Sequence, residues 1–433
     1  MSVVLKLPSN IVRIERGEKI LFFNPDIPSW LVTNSNGALL LSLCDGRNSI
    51  SDILESLREA EGDESYAQGR AFFSKALSSR LFEEGGAGEI PIAEERQHLS
   101  NVQFSISASC NLACTYCYAT DREESSFPPL TLSDYQRLAD EIVGHFGSGV
   151  SFTLTGGEPL LNKDVFKIGR YLRDLGCSVD ILTNGTLINP SNISDLKSSF
   201  DSVSISIDGS SASRHDTFRG NGSYAKVESA IALLDSHGIP YRLSMTVNRK
   251  NIDDVEAMAK LYGNRMNFAP LFPAGRASSG REDVSISGKE YFECLKCASG
   301  VNPLGYCEST LESSQERRRC KCAIGGYEIS VSPTGDVYPC QLLHYPEFLI
   351  GNVHNGSLVE LLSGSPVIER CSRMVVDNIE GCSSCFLRYV CGGACRARAY
   401  HESKNIFTSG SFCEYEREAF IDGIFSLYSE NII

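Results

Sequence analysis

The sequence predicts an α/β fold in which six parallel βα units form a partial barrel between two smaller regions. Short apolar strands alternate with amphipathic helices from about residue 101 to 270. A mixed strand and helix pattern precedes this stretch, and twelve of the seventeen cysteines follow it, between Cys294 and Cys413. At 433 residues the chain exceeds the size of one ordinary core, so we expect three units, at 1–90, 100–285 and 290–433.

The first unit begins with three alternating segments, IVRIER, KILFFN and SWLVTN, which predict short strands between residues 11 and 34. Three helical patterns follow, ALLLSLCDG, ISDILESLREA and YAQGRAFFSKALSSRLFEE. Together they predict a small, winged-helix-like α+β domain. The glycine- and charge-rich segment 83–98 breaks the periodicity and is typical of a linker.

The second unit contains six predicted strands: VQFSIS, SFTLT, SVDILT, SVSISID, YRLSMTV and RMNFAP. Helical stretches separate most of them, as parallel βα units require. The pattern predicts a partial (β/α)6 TIM-like barrel. In such a barrel the reactive groups lie at the carboxyl ends of the strands.

Composition excludes several function classes. The net charge of −14 gives no basic surface of the kind that nucleic acid needs, so no nucleic-acid partner is expected. Residues 1–10 lack a secretory signal, and no stretch approaches the ~20 apolar residues of a membrane span. We therefore expect a cytoplasmic protein with no membrane contact, whose cysteines bind metal rather than form disulfides. Cys44 and Cys177 suit small buried thiols instead.

The first predicted barrel strand leads directly into Cys110-x3-Cys114-x2-Cys117. Three thiolates on one loop can hold three irons of a [4Fe–4S] cluster, and no fourth cysteine follows at ferredoxin spacing. One iron is then left open. On this motif alone, a zinc loop or half of a ferredoxin site remain alternatives.

The triplet, with Tyr116 before its third cysteine, resembles the signature of the radical S-adenosylmethionine (SAM) family. The resemblance implies that the amino and carboxylate groups of SAM bind the open iron. The second strand ends in a segment similar to the family's GGEP motif, which implies contacts to the methionine ammonium from Gly156, Gly157, Glu158 and Pro159. Such a turn is weak evidence by itself, because most glycine turns only reverse the chain.

Strands three and four end in further polar residues, Asn184, then Ser206 and Asp208, with Arg219 shortly after. The resemblance implies ribose and methionine-carboxylate contacts from these four side chains. Capping and turn chemistry is the alternative for each one taken singly. Their common place at successive strand ends favours a shared site.

The last third of the chain carries seven cysteines whose spacing resembles the SPASM extension of radical SAM enzymes, with Gly335 five residues before the second of them. Zinc knuckles are the alternative. The resemblance implies two auxiliary [4Fe–4S] clusters, so three in all with the SAM-binding one. It assigns one auxiliary cluster to Cys382, Cys385, Cys391 and Cys413, and the other to Cys322, Cys340 and Cys395.

The second of these sets is one ligand short. Cys320, Cys371 and Cys307 are the nearby candidates, and an open iron is a further possibility that would let a substrate thiolate bind. The neighbouring basic residues Arg317–Arg319 and Lys321 could raise the potential of that cluster, although such a run is more often a solvated loop.

The segment PSWLVTNSNGALLLSLCDGRNSISDIL resembles the PqqD-like peptide-recognition domain of peptide-modifying radical enzymes. The alternative is an unrelated winged-helix packing module. The resemblance implies a precursor peptide as partner, whose leader would add as a strand to the edge of the small sheet.

The resemblances together imply an enzyme that cleaves SAM to a 5′-deoxyadenosyl radical and oxidatively modifies, by cross-linking, a ribosomally made peptide, with a flavodoxin- or ferredoxin-type electron donor. Rival hypotheses are oxidation of a protein Cys or Ser as in sulfatase maturation, oxidative decarboxylation of a tetrapyrrole, and an iron–sulfur carrier or scaffold. The sequence identifies no general base: His215, Asp283 and Glu290 are not distinguishable from surface residues.

Overall fold

A computed structural model describes residues 3–82, 99–120, 125–278, 283–298 and 318–427. Cys307 and Arg317, both named above, and the whole of the predicted linker, 83–98, lie outside these ranges. No helix in the described part of the chain is long and apolar enough to cross a membrane.

The N-terminal unit contains two small sheets and three helices. The strands are β1 (Val4–Lys6), β2 (Val12–Arg16), β3 (Lys19–Asn24), β4 (Ser29–Thr33) and β5 (Asp45–Ser49). The three predicted strands are β2, β3 and β4, which form one antiparallel sheet, and the two-stranded sheet of β1 and β5 was not predicted. The helices are α1 (Ser35–Ser42), α2 (Ile50–Glu61) and α3 (Asp63–Ser78).

The helix predicted over 38–46 is wrong in its second half, because α1 ends at Ser42 and residues 45–49 pair with β1. The polar residues of β5 are largely exposed, so the strand carries no apolar alternation that could have indicated it. Ser49 then begins α2 with a capping box that Asp52 completes.

The barrel has all six predicted strands, and neighbours in sequence are parallel neighbours in space. They are β6 (Asn101–Ser105), β7 (Ser151–Thr155), β8 (Val179–Thr183), β9 (Ser202–Ser206), β10 (Tyr241–Val247) and β11 (Met266–Pro270). The intervening helices are α4 (Leu132–Phe146), α5 (Val165–Asp174), α6 (Ile193–Ser199), α7 (Ala212–Arg219), α8 (Ser223–His237) and α9 (Val255–Tyr262). The carboxyl ends of the strands therefore share one edge.

The C-terminal region extends the barrel sheet instead of forming a separate one. Strand β12 (Glu328–Val331) pairs in parallel with β6, and β13 (Asp336–Tyr338) and β14 (Gly351–Asn352) continue the sheet in antiparallel fashion. The helices here are α10 (Gly288–Cys297), α11 (Leu358–Ser363), α12 (Pro366–Ser372), α13 (Arg388–Cys391), α14 (Arg396–Ser403) and α15 (Cys413–Ser426).

One face of the sheet β2-β3-β4 packs on the C-terminal region. Leu21, Phe23, Trp30 and Val32 form an apolar cluster with α15 and with residues 385–391. The Phe23 and Phe386 rings meet edge to face at 5.5 Å. The other face of the sheet, with Phe22, packs on the unit's own helices. The N-terminal unit therefore shares one core with the C-terminal cysteine region.

Candidate functional site

Cys110, Cys114 and Cys117 lie on the loop that leaves β6, the cluster loop. Burial raises the pKa of Cys110 and of Cys114, and the nearby Cys117 thiol raises both further. Hydrogen bonds between the backbone of the loop and two residues of other segments hold the loop in place. Thr115 donates its N–H to the Phe218 carbonyl at 2.9 Å, and the Arg276 guanidinium donates to the Cys114 carbonyl at 2.9 Å. All three predicted ligands are thus brought to one place at the strand ends.

Two side chains direct N–H groups toward the sulfur atoms of the cluster loop. Asn184 Nδ2 lies 3.9 Å from Cys110 Sγ, and Arg219 Nη1 lies 4.0 Å from Cys114 Sγ. Burial raises the pKa of Cys114, and the Arg219 charge opposes that rise. Because metal ligation needs the thiolate form, these donors suit a metal-bound loop. The three thiols therefore fit a cluster with one iron left for another ligand.

The Gly156–Gly157 turn after β7 lies directly against the cluster loop. A Cβ atom at Gly156 would come within 2.4 Å of the Ser107 carbonyl oxygen, and one at Gly157 within 2.4 Å of the Ser109 carbonyl oxygen. Gly156 also has a φ of +140°. Only glycine fits this close approach of two backbones.

Glu158 is fully buried, and its carboxylate joins the ends of two strands. It accepts hydrogen bonds from Thr183 Oγ1 at 2.6 Å and from the Asn184 N–H at 2.8 Å. Burial raises its pKa, and these donors oppose the rise. Pro159, also buried, begins the short helical turn that follows. The carboxylate thus orders the strand ends beside Cys110.

Tyr116 of the cluster loop forms a buried hydrogen-bond network with Asp208 and Arg219. The Tyr116 hydroxyl and Arg219 Nε both donate to Asp208 Oδ2, and Arg219 Nη2 donates to the Tyr116 hydroxyl at 3.1 Å. The other carboxylate oxygen of Asp208 accepts from the Thr246 N–H at 2.9 Å. Ser206 ends β9 nearby and is half-buried. The network ties the cluster loop to strands β9 and β10.

His215 is fully buried, so it does not resemble a surface residue. Its Nδ1 accepts a hydrogen bond from the Asp208 N–H at 3.1 Å, and burial lowers its pKa to about 4. Sequence reasoning missed it, because a histidine in the helix after β9 has no distinguishing pattern. Asp283 pairs with Lys250 at 2.5 Å, and Glu290 caps α10; both are partly exposed.

Four cysteines, Cys382, Cys385, Cys391 and Cys413, line one small cavity that is partly open to solvent. We call it the four-thiol site. Its lining is completed by Leu387, Arg388, Gly393, Arg417 and Phe420. Burial raises the pKa of Cys391 to about 12 and that of Cys382 to about 11. The thiol set fits a four-iron cluster.

Cys322, Cys340 and Cys395 lie together in a different apolar cluster, which we call the three-thiol site. Burial raises the pKa of Cys340 well above the usual range, and the other two thiols raise it further. Of the basic run, Lys321 forms a backbone β-bridge with Val375, and the Arg319 side chain packs against Gly392, next to Cys391. Both residues are partly buried, so this part of the run is not a fully solvated loop. In the described residues no three or more His, Cys, Asp or Glu side chains come together closely enough to hold a single metal ion.

Two family models match the chain: "Radical SAM superfamily" over residues 104–262 and "Iron-sulfur cluster-binding domain", SPASM, over residues 320–386. The fold and the site thus define a radical SAM enzyme. More particularly, the chain is a radical SAM superfamily enzyme with a SPASM domain, whose cofactors are [4Fe–4S] clusters and SAM. The SPASM match removes the zinc alternative for the C-terminal cysteines.

Three known proteins illustrate the range of relatives. An AdoMet-dependent heme synthase of Methanosarcina barkeri is 27% identical over 72% of this chain and 96% of its own length. The antilisterial bacteriocin subtilosin biosynthesis protein AlbA of Bacillus subtilis is 29% identical over 62% of this chain and 60% of its own. The structure of Streptococcus suis SuiB bound to precursor peptide SuiA matches 95% of this chain and all of SuiB, with a TM-score of 0.59 and 14% identity.

Proposed function

We propose that this enzyme oxidatively modifies, by cross-linking, a ribosomally made precursor peptide whose leader binds the N-terminal unit. The observation that carries the proposal is the sheet β2-β3-β4. Its first strand pairs only with β3 in the described residues, so its outer edge can accept another strand. Such addition is a common mode of peptide recognition.

The two edges of that sheet differ. All five residues of β4 are buried, whereas Arg13 and Glu15 of β2 expose more than half of their side chains. We therefore assign the leader to the β2 edge. Main-chain hydrogen bonds would supply affinity, and the alternating side chains of β2 would supply selectivity.

The relatives support a peptide substrate. AlbA takes part in making a bacteriocin, and SuiB binds a precursor peptide. Because the match to SuiB leaves only 5% of this chain uncovered, it includes most of the N-terminal unit. Because SuiB binds a precursor peptide, a fold shared with it over this unit supports a peptide substrate for this chain.

When bound, the first cluster and SAM supply a 5′-deoxyadenosyl radical for hydrogen abstraction. The chain's own residues prepare that chemistry. The cluster loop presents three thiols, the Gly156–Gly157 turn lets the end of β7 approach the backbone of that loop closely, and the Asp208 network fixes the loop. A flavodoxin- or ferredoxin-type protein in the cytoplasm would be the electron donor.

Oxidation of a tetrapyrrole is the second candidate, because three heme synthases are 27–29% identical to this chain over 345 residues each. That candidate gives no role to the edge of β2. The two substrates can be compared directly. We expect the enzyme, SAM and dithionite to lower the mass of the short peptide encoded beside its gene by about two hydrogens per cross-link, and to leave a carboxylated tetrapyrrole intact.

Binding can be tested apart from chemistry, because Trp30, the one tryptophan of the chain, lies in the sheet that would bind the leader. The leader should change Trp30 emission in the full-length enzyme. Arg13→Ala and Glu15→Ala together should weaken the effect, while Arg47→Ala, on exposed β5, is the matched control. Loss of carbon dioxide from the tetrapyrrole, with no peptide binding, would instead establish the second candidate.

A further inference from the structure

The three-thiol site has a fourth cysteine beside it that the SPASM spacing does not assign. Cys371 lies on α12 and is 1% exposed. It belongs to the same apolar cluster as Cys322, Cys340 and Cys395. Cys320, the other described candidate, is not a member of that cluster. Four thiols from four separate segments thus lie in one apolar cluster, and the Cys371 thiol is near that of Cys322.

The backbone between the motif cysteines comes unusually close to Cys371. A Cβ atom at Gly325 would lie 3.1 Å from Cys371 Sγ and 2.8 Å from its Cβ, and Gly325 has a φ of +65°. Its N–H donates to the Pro339 carbonyl at 3.1 Å, which places Cys340 in the next position along the chain. Glycine at 325 therefore lets the turn after Cys322 and the segment before Cys340 approach the Cys371 thiol.

The surroundings of Cys371 differ from those of Cys44, another buried thiol. Cys44 donates to the Leu40 carbonyl at 3.5 Å, whereas Cys371 Sγ makes no such bond within the described residues. Burial raises the pKa of both Cys44 and Cys371 to about 12, but only Cys371 has cationic neighbours, Arg370 and Lys321, that oppose the rise. Positive charge favours the thiolate that a metal requires.

We propose that Cys371 is the fourth protein ligand of the iron–sulfur cluster held by Cys322, Cys340 and Cys395. Binding would release the proton of each thiol, and all four irons would then have a protein ligand. A cluster closed in this way has no coordination position for a substrate thiolate. The inference concerns a ligand and does not depend on whether the substrate is a peptide.

The test uses the full-length chain with Cys110, Cys114 and Cys117 all changed to Ala, so that only the two auxiliary clusters remain. We expect about eight irons in this parent. Adding Cys371→Ala should lower the count to about four, or to about seven with the EPR signal of a [3Fe–4S] cluster, as Cys340→Ala also should. Cys44→Ala is the matched control, because that thiol is equally buried and distant from the site, and it should keep all the iron.

Three outcomes would overturn the proposal. Cys371→Ala could keep eight irons and the parent EPR spectrum, as a merely structural thiol would. Cys320→Ala or Cys307→Ala could lose the iron in its place. Added 2-mercaptoethanol could change the parent spectrum, which would indicate an open iron. If Cys371→Ala does not fold, Cys371→Ser keeps the volume; a shifted potential of one auxiliary cluster then supports ligation, and an unchanged potential refutes it.

Discussion

The cluster loop and the C-terminal cysteine sites hold thiols in opposite ways. The loop gathers three cysteines within residues 110–117 and fixes them with hydrogen bonds from Asn184, Arg219 and Arg276. The C-terminal sites draw cysteines from residues 322–413, and most of these thiols pack in or against apolar clusters. The comparison teaches that polar contacts maintain the first site and remote apolar packing maintains the others. Each region should therefore respond to a different class of substitution.

The largest expected effect tests whether the two regions are independent. Changing Cys110, Cys114 and Cys117 together to Ala should abolish SAM cleavage and keep about two thirds of roughly twelve irons, because none of the seven auxiliary thiols belongs to the barrel core. Iron analysis and 5′-deoxyadenosine production would measure this. Near-complete loss of iron would show that the sites assemble together.

Phe23→Ala should damage the four-thiol site even though Phe23 does not line it, because Phe23 packs on Phe386, the residue after Cys385. Phe23 is fully buried against Phe386, so its removal leaves a cavity and costs about 3–5 kcal/mol. We expect the variant to lose iron from that site only. Phe22→Ala is the control, because the neighbouring side chain packs on the opposite face of the same strand. Equal iron loss in both variants would mean that general unfolding, not the shared core, is responsible.

The shared core also changes how the N-terminal unit should be tested. Deleting it would expose Phe420, Ile424 and Phe425 of α15, which pack on its sheet. Such exposed apolar surface favours aggregation. Point substitutions in the intact chain are therefore the better experiment.

Arg219→Ala probes the polar side of the comparison. It leaves the buried Asp208 carboxylate without its cation, and breaking such a pair costs about 3–5 kcal/mol. We expect weaker SAM binding but unchanged iron, because Asn184 and Arg276 still hold the cluster loop; equilibrium binding and iron analysis measure the two effects. Arg214→Ala, which breaks an exposed pair with Asp253, should cost less than about 1 kcal/mol. Unchanged SAM affinity in Arg219→Ala would limit Arg219 to a structural role.

The same contrast explains what could be predicted from the sequence. The barrel strands and the cluster loop follow from local periodicity and spacing, because each signal lies within a few residues. The strand β5 and the partner of Phe23 could not be predicted, since the first is polar and the second lies more than 360 residues away in sequence. Cys371 could only be one candidate among three, because its proximity to Cys322 depends on how α12 packs.

His215 should make the barrel sensitive to acid. Its pKa is about 4 in the fold against about 6.5 when unfolded, so the unfolded chain takes up a proton first as the pH falls. The contribution of neutral His215 to the unfolding free energy is fully present above pH 6.5. It decreases by up to about 3 kcal/mol as the pH falls to 4. Because carboxylates also titrate in this window, the measurement is the difference between parent and His215→Gln unfolding curves. A pH-independent difference would refute the lowered pKa.

The smallest expected effect asks whether charge also holds the N-terminal unit on the four-thiol site. Asp26, in the β3–β4 turn, pairs with Arg388 at 3.0 Å, and its side chain is 57% exposed. An exposed ion pair contributes about 0.2–1 kcal/mol, and Arg388 keeps a second partner in Asp377 at 3.4 Å. Asp26→Ala should therefore leave the iron content unchanged and lower the unfolding free energy slightly at low salt. The difference should vanish near 1 M salt, where the screening length is about 3 Å. A loss of iron as large as that from Phe23→Ala would show that the contact between the N-terminal unit and the four-thiol site depends on charge. Apolar packing would then not be what maintains the four-thiol site.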